Sequence, residues 1–320
     1  MIRTPLTRWF DLTTPVIGAP MAGVSGGAMA RAVSQAGGLG MIGVSGRHSA
    51  EFVTAESAIA GEDLMPFGVG LMIWTLADRP ELLAATVAAQ PSLVSMSFGD
   101  PAPWVQPLHD AGIAVAAQVN TVADAHRALE AGVDVLVAQG TEGGGHTGQR
   151  ALLPLLSEVL TLTDRPVVAA GGIATGSAMA GMLVAGAAGV WIGTALLSCT
   201  EGLNDAGARQ RIRAASGDET VLTRAFDVAE GIAWPERWPG RALVNEFSRA
   251  WHGREDELEG DDAARQLVIE SRDTGDPAHA PLYAGEAVGL VTAERSATDV
   301  VLELTAGAEK ALAAAARLIG

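Results

Sequence analysis

The residues best placed to do chemistry in this chain lie in Val135-Leu-Val-Ala-Gln-Gly-Thr-Glu-Gly-Gly-Gly-His-Thr-Gly148. The imidazole of His146 can take or give a proton near neutral pH. The glycines around it carry no Cβ, so the backbone can approach a flat or phosphorylated ligand closely. Together they point to a cofactor with a base beside it. Gly143 to Gly145, Thr147 and Gly148 also leave His146 little side-chain packing of its own. The other histidines, His48, His109, His126, His252 and His279, lie in polar or proline-rich surroundings or on a polar helix face, where a surface role is the simpler reading.

Two further stretches have the right character. Pro15-Val-Ile-Gly-Ala-Pro-Met-Ala-Gly-Val-Ser-Gly-Gly27 reads as a strand ending in Ala-Pro-Met and opening into a Gly/Ser loop. Pro166-Val-Val-Ala-Ala-Gly-Gly-Ile-Ala-Thr-Gly176 and Ala188-Gly-Val-Trp-Ile-Gly-Thr-Ala195 are two successive strands, each ending in glycine. Backbone amides at such ends, with a helix starting directly after Thr175, suit a phosphate group. Gly143-x-Gly145-x-x-Gly148 and Gly38-x-Gly40-x-x-Gly43 match the bare spacing of a dinucleotide loop. The second runs into a strand where it should leave one, and the first lacks an acid on a following strand. No His/Asp/Glu grouping has metal-ligand spacing, so no metal site is expected.

Positioning these segments requires a repeating scaffold. Short apolar runs alternate with Ala-rich amphipathic stretches that end in Ala36-Gly37, Ala111-Gly112, Ala131-Gly132 and Ala185-Gly186. A glycine just past a helix end supplies the left-handed cap. The runs predict strands at 15–19, 39–44, 67–72, 93–97, 113–118, 134–138, 166–170 and 189–193. Nearly continuous apolar strands alternating with helices are parallel and covered on both faces. Eight such units in about 180 residues predict an α/β fold of the (β/α)8 TIM-barrel class, although the period alone also suits a doubly wound sheet. Barrel sites lie at the C-terminal ends of the strands, and phosphate is often held after the seventh and eighth. Gly171-Gly172 and Gly193-Thr194 occupy those positions.

Beyond residue 200 the chain is richer in charge and holds Trp234, Trp238, Trp251 and the acidic run Glu255 to Asp262. The reading is a barrel from 1–199 and 286–320, with 200–285 a smaller, mostly helical insertion or lid. The tryptophans either anchor it or line an entrance. A final helix is expected over 298–318.

The totals narrow the partners. The chain has 320 residues, a formal net charge of −16 and 18% charged residues. Such acidity without a Lys/Arg cluster argues against nucleic acid or anionic lipid. No membrane span or signal peptide is read, so a cytoplasmic enzyme is expected. Cys199, the single cysteine, excludes an intramolecular disulfide, and its apolar context suggests a buried structural thiol.

Three segments together resemble the nitronate monooxygenases, formerly called 2-nitropropane dioxygenases: 19–23 (Ala-Pro-Met-Ala-Gly), 138–148 and 169–175. Residues 283–290 resemble that family's closing segment. The resemblance implies non-covalent FMN at the mouth of a TIM barrel, a nitronate and O2 as reactants, and His146 as active-site base. Ala19, Pro20 and Met21 would lie against the flavin, and Gln118 would reach its polar edge. Gln139, Gly140, Gly144, Gly145 and Ala170 would line it, and Gly171, Gly172, Gly193 and Thr194 would hold its phosphate. Gly70 stands where the family commonly has Asn, so one polar contact to the flavin is expected to be missing. Alternative readings are an FMN-dependent enoyl-acyl-carrier-protein reductase using NAD(P)H, with Arg209, Arg211 and Arg213 as the only docking patch for an acidic carrier, and a flavin-binding protein without turnover. Oligomeric state is not legible.

Overall fold

The computed structural model describes residues 1–318. Its strands are β1 (Val16–Gly18), β2 (Gly40–Gly43), β3 (Phe67–Met72), β4 (Leu93–Ser97), β5 (Ala114–Val119), β6 (Val135–Gln139), β7 (Gly145–His146), β8 (Val167–Ala170), β9 (Gly189–Ile192), β10 (Thr220–Thr223) and β11 (Gly240–Leu243). Eight of them form a parallel sheet in the order β1-β9-β8-β6-β5-β4-β3-β2. A parallel bridge between Ile17 and Leu39 brings β1 beside β2, so the sheet closes into a barrel. All eight strands read from the sequence are present, each within about two residues of its expected ends.

Alternation along the strands explains why the runs are apolar throughout. Ile17, Met41, Leu93, Ala116, Val135, Val137, Val168 and Trp191 fill the ring, together with Leu6, Phe10 and Leu12 from the N-terminal segment. Their neighbours Val16, Ile42, Val94, Val115, Leu136, Val167 and Val190 pack outward against the helices. Both sets are buried, and each Val, Ile or Leu so covered contributes roughly 1.5–3 kcal/mol. The helix caps follow the Ala-Gly signal: Gly37, Gly112, Gly132 and Gly186 all have φ between +75° and +108°.

The period of two has a direct consequence for function. Continuing the inward set to the strand ends brings Ala19, Gly43, Gly70, Ser95, Gln118, Gln139, Ala170 and Gly193 to the inner side of the mouth. The ring below them is sealed, yet Ala19, Gln118, Gln139 and Gly193 keep partial solvent exposure.

Residues 200–285 carry helices Ala206–Arg213, Ala225–Glu230, Glu246–Trp251, Glu255–Leu258 and Asp262–Thr274, as the sequence suggested, but also β10 and β11. These pair with β7 in a three-stranded antiparallel sheet, Gly240 opposite His146 and Arg241 opposite Gly145. The short Gly-Arg-Ala-Leu run of β11 has little intrinsic strand preference; its pairing partners make it a strand. The segment is also tied to the barrel through side chains. Arg47, after β2, reaches the buried Glu230 at 2.7 Å, and Arg237 reaches Asp124 at 2.5 Å. The final helix, Ala297–Ala315, packs on helix Gly176–Val184, where Gly176 and Gly307 meet backbone to backbone. No helix of the described residues is long and apolar enough to cross a membrane.

Candidate active site

Two glycine-ended strands build one wall of the mouth. Gly171 and Gly172, after β8, have φ of +109° and +68°, a backbone course that L side chains rarely take. A Cβ on Gly171 would sit 3.1 Å from the Gly140 carbonyl oxygen, so the two loops lie almost in contact. The amide groups of Gly171, Gly172, Ile173, Gly193 and Thr194 donate to no acceptor among the described residues. Unpaired amides at adjacent strand ends form a cradle for an anion. The next helix adds its positive end: Thr175 caps it, its hydroxyl accepting from the Ala178 amide at 3.2 Å.

The floor is polar in one sector and bare in another. The Gln118 side-chain amide donates to Gln139 Oε1 at 2.8 Å, and buried Asn120 donates to the same oxygen at 2.9 Å. Gln139 in turn donates to the His146 carbonyl at 3.4 Å, which links the floor to the loop above. On the other side a Cβ at Gly70 would lie 2.3 Å from Pro20 Cγ, so the Ala-Pro-Met turn is seated on this glycine. Pro20 occupies the space a side chain at 70 would need, so position 70 offers the mouth no polar group of its own. Beside it the buried Ser95 hydroxyl has no hydrogen-bond partner. Ser95 was missed in the sequence, although it has the same inward parity in the fourth strand.

Not every glycine of the loop faces this space. A Cβ on Gly144 would lie 2.5 Å from the Gly285 nitrogen, and one on Gly285 would lie 2.5 Å from the Glu142 oxygen. Gly144 thus makes room for residues 284–285, and Gly285 donates to the Thr194 hydroxyl at 2.9 Å. The stretch 283–290 therefore locks the glycine loop to the cradle. By contrast Gly145, at φ +71°, has open space where its side chain would be.

His146 is more enclosed than its glycine neighbours suggested. Its ring stacks on Trp234 at 3.5 Å with 9° between planes, and meets Phe98 and Tyr283 at 6.3 and 5.5 Å. These partners come from positions 98, 234 and 283, remote in sequence, so no local pattern announced them. Nε2 lies 2.9 Å from Asp227 Oδ1, with 9% and 6% of the two side chains exposed. Nδ1 has no partner among the described residues and is not among the polar atoms sealed from solvent. Burial, and the nearby carboxylates of Asp227 and Glu230, push the Tyr283 hydroxyl well above its ordinary range, so it remains a donor. Phe98 is held at φ +64°, which for a bulky aromatic costs roughly 1–3 kcal/mol. Trp234 and Trp238 pack on Phe98, whereas Trp251 packs on Phe247 away from this cluster.

The family model for nitronate monooxygenase matches residues 3–307. The chain belongs to the nitronate monooxygenase family. Nitronate monooxygenase npaC of Metarhizium robertsii is 34% identical, over 90% of this chain and 89% of that protein. Among solved structures, FabK from Thermotoga maritima superposes with a TM-score of 0.87 at 25% identity, covering 99% and 100% of the two chains. A nitroalkane oxidase from Streptomyces ansochromogenes gives 0.83 at 29% identity, covering 97% and 99%. Membership makes this chain a flavin-dependent oxidoreductase on a TIM barrel.

The remaining candidates have other duties. Cys199 is buried and its thiol is pushed up to about 12 by burial and by the Glu201 carboxylate, so it is no nucleophile. Arg209 and Arg213 are paired with Glu294, and Arg211 lies 3.5 Å from Glu219.

Proposed function

We propose that this protein binds FMN at the mouth of the barrel and oxidises alkyl nitronates with O2 to a carbonyl compound and nitrite. The observation that carries the reading is the set of unpaired amides at 171–173 and 193–194, interlocked through Gly140, Gly144 and Gly285 with the loop that presents His146.

In this reading the cradle holds the FMN phosphate, Ala19, Pro20, Met21 and Gly70 lie against the ring, and Gln118 and Gln139 meet its polar edge. Ala170, Gly140 and Gly145 line the remaining wall, and Ser95 offers its free hydroxyl. Bound FMN supplies electron transfer between the nitronate and O2. The protein's own part is to hold the substrate, exclude bulk water and handle one proton. Nδ1 of His146, if it carries the lone pair, can take the α-proton of a nitroalkane or, once protonated, donate to nitronate oxygens. Tyr283, its ring centre 5.5 Å from that of His146, keeps its hydroxyl proton. Trp234, Trp238 and Phe98 give the mouth an apolar cover suited to a short alkyl chain. We take residues 200–285 as the lid that carries much of this cover.

The purified protein should be yellow and should release FMN on heating. Nitronate should bleach its flavin anaerobically, and His146→Ala should slow turnover roughly 10²–10⁴-fold. A colourless protein that FMN does not restore, or a flavin reduced by NADPH and not by nitronate, would refute this function.

A further inference from the structure

Asp227 belongs to no motif of the sequence, and its surroundings do not explain it as a surface acid. Its helix, Ala225–Glu230, buries Ala225, Phe226 and Ala229. A carboxylate set among such neighbours is costly unless it is partnered. The charged groups nearby are already committed, since Arg47 and Arg272 both bind Glu230. Tyr283 is the other titratable group facing it, and the side chain's single hydrogen bond among the described residues is to His146 Nε2.

A carboxylate only accepts, so the ring nitrogen facing it must carry the proton. The ring is further fixed by the Trp234 stack and by the pairing of β7 with β11. We infer that Asp227 is a positioning residue for the proton transfer proposed above: it holds His146 as the tautomer protonated on Nε2 and so leaves Nδ1 free to accept the α-proton of a neutral nitroalkane. This rests on the function proposed above. In that step the Nδ1 lone pair takes the α-hydrogen as a proton. The C–H bond breaks and its electron pair forms the C=N bond, leaving the negative charge on the nitro oxygens. The resulting imidazolium stands beside the Asp227 carboxylate, which stabilises it, and the nitronate is then oxidised by O2 with flavin.

The test compares nitroethane with preformed ethyl nitronate in the holoenzyme, wild type and Asp227→Asn. An amide can donate to Nε2 and so favour the wrong tautomer. We expect kcat/KM for nitroethane to fall by roughly 10²–10⁴-fold, at least about tenfold more than for the nitronate. The isotope effect with α-deuterated nitroethane should rise. Independently of activity, the ring ¹⁵N spectrum of histidine-labelled wild type should show His146 protonated on Nε2. Equal losses on both substrates, an unchanged rate on nitroethane, or a ring protonated on Nδ1 would overturn the proposal. If Asp227→Asn does not fold, the wild-type spectrum decides. If wild type oxidises neither compound, the function proposed above fails, while the spectrum still decides the tautomer.

Discussion

Replacing Gly172 with alanine separates the cradle from the fold around it. The residue is left-handed, at φ +68°, and a Cβ there would meet only the Glu142 side chain, Cβ at 3.5 Å and Cγ at 3.9 Å, both ordinary contacts. The substitution therefore adds backbone strain without a clash. That strain costs roughly 1–2 kcal/mol. At about 2.1 cal/mol/K per residue over the whole chain, it lowers Tm by about 1.5–3 °C. Gly112 is the matched control: φ is +75°, nothing lies within 4 Å of its Cβ position, and it caps a helix at the opposite end of the barrel. Gly112→Ala should show the same loss of Tm. Only Gly172→Ala should disturb the amides at 171–173. A hydrogen bond to a charged group contributes roughly 1.5–3 kcal/mol, so losing one raises the Kd for FMN about 10–150-fold. Fluorescence titration of the deflavinated variants measures this, with thermal melts alongside. If the two variants bind FMN equally, or if Gly112→Ala is the weaker binder, the cradle has been misassigned.

Gly70→Asn should not gain a flavin contact. Its Cβ would fall 2.3–2.4 Å from the Pro20 ring, so we expect a loss of roughly 1–3 kcal/mol and less bound flavin, read from the absorbance ratio; a higher flavin content would contradict the seating of the turn. Trp234→Ala should lower turnover about 2–10-fold by removing the stack on His146, and Trp234→Phe should restore most of it; equal activity of the two variants would count against the stack. Cys199 should resist thiol reagents at pH 8 until the protein is unfolded. Its thiol lies at about 12 in the folded chain and at about 8.5 in an unfolded one. The unfolded form therefore ionises first, and stability falls as pH rises from about 8.5 toward 12. Cys199→Ser should flatten that alkaline decline in a pH series of melts.

The barrel was legible because its signals are local. Each strand is a short apolar run, and each cap is an Ala-Gly pair, so composition and period carry both. The placement of Gly171-Gly172 and Gly193-Thr194 was legible for the same reason: they stand at fixed places relative to their own strands. The enclosure of His146 was not. Asp227, Trp234 and Phe98 lie 81, 88 and 48 residues from it in the chain, and none carries a local mark of its role. Ser95 was hidden differently, since a serine inside an apolar run looks like an ordinary strand residue until the register is fixed. The strands β10 and β11 were invisible because their pairing with the glycine loop, rather than their residues, makes them strands.

That pairing also explains how a two-residue strand in a run of glycines can hold the His146 ring in one place. Left alone, a run such as 143–145 would sample many backbone courses, and so short a strand is marginal. Here it is fixed on three sides. Gly171 lies against its start at Gly140 and Gly143, Ala284 and Gly285 pack on Gly144, and β11 pairs with Gly145 and His146. Arg241, in β11, closes the arrangement by donating to the Thr141 carbonyl at 2.8 Å and pairing with Glu286 at 3.2 Å. The barrel thus supplies the cradle, and the segment after residue 200 supplies what orients the imbedded imidazole. A change that loosens that segment should therefore displace His146 before it disturbs the amides of residues 171–173 and 193–194, since none of those five amides belongs to it.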